Sequence, residues 1–252
     1  MVYKFIGANM EKTLARVAKL FDDVIQAKSF NKLIEIESSA QFTDKERKQN
    51  FPGRRYPQLK FSITADDIKS LKGAKFLEED GSLSLNCANE NILKTPLEKL
   101  LFSVLWKNGD LGKEKHITDG IIGNRDNVRV TDEKGLVFYY FGKHLNQKIN
   151  PIIDQHVIRA FMLYKVIMLY KNGNEENCEE ILSKKTVSAK DKENCEEILS
   201  KKTVSAKDKE ICLEYIEWQK DRLDKLDKKA DQEMFSYHLD RLLFGLGKSI
   251  KS

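Results

Sequence analysis

Pro151-Ile-Ile-Asp154-Gln-His-Val-Ile-Arg-Ala-Phe161 is the stretch on which the reading of this chain turns. A proline followed by two β-branched residues disfavours helix and favours extended backbone. Asp154 comes next, and an apolar, helix-compatible run then continues to about Tyr170. Aspartate is a strong N-cap, because its carboxylate accepts from the unpaired N–H groups of the first helical turn. The pattern predicts an extended arm that becomes a helix at Asp154. It also predicts an ionised carboxylate, since the N-terminal end of a helix is the positive end of its dipole. Two readings of Asp154 stand side by side: a structural cap, or a carboxylate that does chemistry.

Outward from this stretch the chain reads as mainly α. Only 4 prolines and 13 glycines in 252 residues argue against a loop-rich β fold. Helical spacing recurs, whereas the strict alternation of strands is scarce. The net charge of +5 permits a nucleic-acid partner without demanding one. No apolar run reaches membrane-spanning length. Met1–Phe5 lacks the apolar core of a secretory leader, which predicts a cytoplasmic protein.

In the N-terminal part, Leu14, Val17, Ala18, Phe21, Val24 and Ile25, then Leu33, Ile34 and Ile36, predict one long helix or two with a break near Ser29. Residues 51–57 read as a loop. Thr64–Leu71 reads as a short capped helix. Asp80-Gly81 lies between alternating apolar residues, which predicts a small β-hairpin over 76–85. Thr95-Pro-Leu-Glu98 is a capping box with proline at the first helical position. Leu97, Leu100, Leu101, Val104 and Leu105 then predict a buried face, and Gly109 a stop. Thr131-Asp-Glu133 predicts a further helix burying Leu136, Val137, Tyr140 and Phe141. Met234–Ile250 reads as a closing apolar helix that docks on the core.

Residues 176–192 recur without change as 193–209. Solenoid repeats diverge and bury a shared core. These copies are identical and mostly charged, which predicts a recent or engineered duplication in a surface segment, of which one copy needs to dock. The spacing of Cys178, Cys195 and Cys212 follows from that repeat rather than from a disulfide or zinc framework. His116, His144, His156 and His238 form no i,i+4 pair, so no metal is expected. No serine elbow or Walker loop is present, and no cofactor is expected. Gly245 and Gly247 follow no strand, so they are not read as a nucleotide loop.

What remains is the Asp154 region. Pro-Ile-Ile-Asp154-Gln-His-Val-Ile-Arg resembles the Pro-x-x-Asp-x-His-Val-x-Arg segment of the helix-hairpin-helix DNA glycosylase superfamily, with its endonuclease III-like members. The order of an apolar helix ending in Trp106-Lys-Asn-Gly109, a helical hairpin near 117–145, the arm, and a closing apolar helix is similar to that family over residues 95–161 and 234–248. The family's Leu-Pro-Gly-x-Gly hairpin is absent, its nearest counterpart being Thr131–Val137.

The resemblance implies a divergent glycosylase fold, with residues 1–90 as an N-terminal helical region and 91–252 as the glycosylase-like domain carrying the duplicated segment 176–209. It implies excision of a modified or damaged base from double-stranded DNA, foreign DNA included, with Asp154 as the catalytic carboxylate. Trp106, Lys107, Asn108, Lys134, Lys143, His156 and Arg159 would meet DNA, and Tyr139 and Tyr140 would line a base pocket. Trp106 and His156 equally suit plain packing. Lys134 lies near, but not at, the position of the catalytic lysine of bifunctional members, so monofunctional chemistry is implied. The other class left open is a non-catalytic helical module that binds DNA or a protein partner. The target base and the oligomeric state are not legible.

Overall fold

A computed structural model of the chain describes residues 2–39, 42–50, 58–88, 92–109, 111–123, 135–170, 197–198, 200, 204 and 208–250. The loop at 51–57, the helix start at 131–134, and most of the duplicated segment lie outside these. The described residues are mainly helical, as the sequence predicts. In chain order the helices are α1 (Val2–Gln26), α2 (Phe30–Ser38), α3 (Asp44–Asn50), α4 (Ala65–Gly73), α5 (Pro96–Asn108), α6 (Lys113–Ile122), α7 (Gly135–Asn146), α8 (Gln155–Tyr170), α9 (Lys209–Asp224) and α10 (Gln232–Ser249).

The chain forms two compact units, and their boundaries do not follow a division near residue 90. One unit holds residues 1–58, 153–204 and 210–252, and the other holds 59–152 and 205–209. The N-terminal helices belong with the C-terminal half because α1 packs on α8, and α2 and α3 pack on α10. Those partners lie more than a hundred residues apart in sequence, where periodicity carries no information.

In the first unit, Ser29 ends the ambiguity between one helix and two. It caps α2 by accepting from the Lys32 N–H. Leu14, Val17, Phe21 and Val24 of α1 are fully buried, and so are Val157, Ile158 and Ile167 of α8. Each such side chain stabilises the fold by roughly 1.5–3 kcal/mol relative to exposure. Aromatic rings fill the centre. Phe21 stacks on Tyr164 at 4.3 Å, and Phe161, Tyr215 and Trp218 lie edge-on or tilted around them. α10 is the apolar closing helix expected, with Phe235, Leu239, Leu242, Leu243 and Leu246 fully buried. Polar pairs fix its rotation: the Tyr215 hydroxyl donates to buried Asp240 at 2.6 Å, and Glu37 of α2 accepts from His238 and forms an ion pair with Arg241. Ile198 and Val204 of the second repeat copy are buried, so that copy supplies packing.

In the second unit, Ile68, Leu77, Ile121 and Leu145 form a small core, flanked by Ile63, Leu83, Ile117 and Phe141. Its centre is the pair α6 and α7, which approach so closely that a Cβ on Gly142 would lie 2.1 Å from the Ile117 carbonyl oxygen. The predicted hairpin is present in minimal form. Leu77 and Leu83 make one antiparallel bridge, and Gly81 takes the left-handed turn conformation, φ +85°. The C-terminal end of α7 is closed by Asn150, whose side-chain amide donates to the Lys143 and Gln147 carbonyls. The buried His144 ring donates through Nδ1 to the Asn150 carbonyl at 2.8 Å. That turn delivers the chain to Pro151.

α5 departs from expectation. Its ends form as predicted, with the Thr95–Glu98 capping box, Pro96 inside it, and Gly109 left-handed at the stop. No residue of α5 is buried. Leu97, Leu100, Leu101 and Val104, which periodicity assigns to a buried face, are 63%, 60%, 54% and 48% exposed. A period of 3.6 shows that a helix has an apolar side, not what covers it.

Candidate functional site

Asp154 ends a non-helical arm at residues 151–154 and caps α8, as the sequence predicts. The geometry is uneven between its two oxygens. Oδ1 accepts from both the His156 N–H at 2.7 Å and the Val157 N–H at 2.8 Å. Oδ2 makes no hydrogen bond among the described residues. One oxygen thus anchors the helix start while the other stays uncommitted. The residue as a whole is partly buried.

The carboxylate stays ionised at neutral pH, as the sequence predicts, but it gives up its proton less readily than a solvated cap would. Burial raises the Asp154 carboxyl from its ordinary 3.8 to about 6. The two backbone N–H bonds and the positive charge of Arg159 pull the other way and do not cancel it. A group with that value is still about nine-tenths ionised at neutral pH. It is a stronger base than an exposed aspartate and holds its charge at some cost, the condition of a carboxylate suited to a positive centre.

His156 and Arg159 are placed by packing. The Arg159 side chain is fully buried. Its NH1 donates to the Gly247 carbonyl of α10 at 2.8 Å and lies 2.8 Å from His156 Nδ1. A guanidinium can only donate, so Nδ1 accepts and the neutral His156 ring carries its proton on Nε2. The ring also meets Phe244 edge-on at 4.9 Å, and Gln155 lies 3.5 Å from its Nε2. Burial draws Arg159 below its ordinary value and Asp154 opposes this. Arg159 is therefore not presented to a phosphate in this structure; it serves the α8–α10 junction and the charge balance of Asp154.

The other described site residues expected from sequence belong to the second unit. Tyr139 and Tyr140 are buried side chains of α7, packed edge to face at 5.4 Å, and Lys143 Nζ lies 5.8 Å from the Tyr139 ring. All three belong to the second unit, whereas Asp154 belongs to the first. Trp106 does not finish a core face: it is 64% exposed at the end of α5, with Lys107 and Asn108 exposed beside it. Lys134 lies outside the described residues. Gln155, Phe244 and Gly247 were not predicted, and only the apolar closing helix hinted at the last two.

Among the described residues, no three His, Cys, Asp or Glu side chains gather as a metal site. Nor is any helix among them long and apolar enough to cross a membrane. No family model, no curated protein and no solved structure matches the chain.

Proposed function

We propose that the chain is a monofunctional DNA base-excision glycosylase acting in the cytoplasm on a modified or damaged base. The observation that carries this is the divided Asp154 carboxylate, with Oδ1 bound to two backbone N–H groups and Oδ2 uncommitted. A flipped nucleotide must leave the stack, at a few kcal/mol, least for a damaged base. As the N-glycosidic bond breaks, the sugar becomes oxocarbenium-like. A negative oxygen fixed by the helix start stabilises that charge without reorganising, and it can orient the attacking water. Exposed Trp106, Lys107 and Asn108 are suited to stacking and to phosphate contact. The test is to incubate the protein with duplexes bearing a panel of modified bases and to look for alkali-labile abasic sites. Cleavage at one modification supports the reading, and none across the panel opposes it.

A second reading, a non-catalytic module that binds a partner, is favoured by one observation, the uncovered apolar side of α5. Under that reading, duplexes remain intact and Asp154 is a cap alone.

A further inference from the structure

We propose that the apolar side of α5 is a self-association surface, on which two copies of the chain pack α5 against α5 in antiparallel fashion. The helix is fixed at both ends, by the Thr95–Glu98 capping box and by left-handed Gly109, yet none of its 13 residues is buried. A helix of this length is marginal on its own in water, so the caps hold what packing does not. What they hold in place is a ridge. Leu97, Leu100, Leu101 and Val104 follow the i, i+3, i+4, i+7 spacing of a helix-pair seam.

The ridge suits a copy of itself. Its four side chains carry no charge, and at 100° per residue Lys99 and Trp106 fall on the opposite side of the helix, while Lys107 flanks the ridge at its C-terminal end. A two-fold axis brings the same patch onto itself, with Leu101 of one copy beside Val104 of the other. Antiparallel pairing also sets the positive end of each helix dipole beside the negative end of its partner. The four side chains expose on the order of 100 Å² each, by the area that full burial of an aliphatic residue represents. With the helix edges included, the pair would bury roughly 1,000 Å², the lower bound for a specific interface. The expected dimer is therefore weak, with a dissociation constant of about 10–100 µM.

The surface does not depend on the proposed catalysis, and its test needs no activity. Sedimentation equilibrium of the full chain from about 1 to about 500 µM should show a monomer–dimer transition. Leu101→Glu, beside the two-fold axis, should weaken it about a hundredfold, because it sets a charge in the middle of the seam. Lys99→Glu, on the far side, should leave it unchanged. On the unaltered chain, amide exchange in α5 should slow as concentration rises. A monomer at every concentration would overturn the proposal and leave the ridge to a different macromolecule. A dimer that survives Leu101→Glu, or α5 exchange that ignores concentration, would overturn it too.

Discussion

Gly247 of α10 and His156 of α8 meet backbone to backbone: a Cβ on Gly247 would lie 1.9 Å from the His156 carbonyl oxygen. The same glycine's carbonyl accepts the buried Arg159 guanidinium. One residue thus sets how near α10 comes to the start of α8 and satisfies the charge buried there. Asp154 caps the same helix start, so its position depends on this crossing.

Gly247→Ala is expected to force the two helices apart, because the obstacle is backbone and cannot rotate away. The loss of stability should be about 3 kcal/mol or more, at the upper end of overpacking effects. Urea denaturation measures it. A change below about 1 kcal/mol would show that the crossing is looser than described.

Arg159→Met should act on Asp154 through charge. The guanidinium lowers the Asp154 value against the larger, raising effect of burial. Its removal should move the Asp154 titration upward from about 6. The Gly247 carbonyl and His156 Nδ1 lose their donor as well, which should cost about 2–4 kcal/mol. Carbon NMR of the Asp154 carboxyl reports the titration. A value that falls or stays fixed would mean that the two groups are not electrostatically coupled.

Asp154→Asn separates the cap from the charge in stability measurements. The folded-state value, about 6, lies above the ordinary 3.8. Protonation therefore favours the folded state, a contribution fully present below 3.8 and lost as pH rises through about 6. Asparagine caps about as well as aspartate and has no charge to desolvate. The variant should match the parent near pH 4 and exceed it by about 1–2 kcal/mol at pH 7.5, with partial solvent access reducing the full effect of the raised value. Parallel thermal unfolding at the two pH values decides this. Equal stability at both would mean that the carboxylate is not desolvated.

Deleting residues 193–209 should leave a folded protein, although Ile198 and Val204 of that copy are buried. The first copy has the identical sequence, so removing either copy yields the same chain. One docking copy remains, and shortening a connection by one copy alters closure entropy by only about 0.6 kcal/mol. Loss of cooperative unfolding in the deletion variant would show that both copies are structural.

What the sequence made legible is local. The Asp154 cap, the break at Ser29, the Thr95–Glu98 box and the turn at Asp80-Gly81 each depend on residues within four positions of one another. The candidate site is legible to the same extent, through Asp154 alone. Arg159 reads from sequence as a surface cation, because arginine is seldom buried. Its burial is licensed by a carbonyl 88 residues away. The α5 face misled for a different reason: periodicity identifies an apolar side but not its cover. Tyr139 and Tyr140 illustrate the converse, since aromatic residues suit a core as well as a pocket. The raised Asp154 value follows from desolvation, which depends on neighbours brought in by the fold and is invisible in a cap motif.

The most direct test of the central claim is single-turnover base release by Asp154→Asn, with DNA binding measured in parallel, on the modified duplex that the parent cleaves. The substitution keeps the cap and the shape and removes the charge that would stabilise the cationic sugar. The account predicts a folded protein that binds DNA at least as well as the parent and releases the base on the order of a hundred-fold more slowly or worse. It also predicts that the parent's rate falls below about pH 6, where Asp154 takes up its proton, and that this dependence vanishes in the variant. An Asp154→Asn protein as active as the parent would contradict the account and leave Asp154 a helix cap.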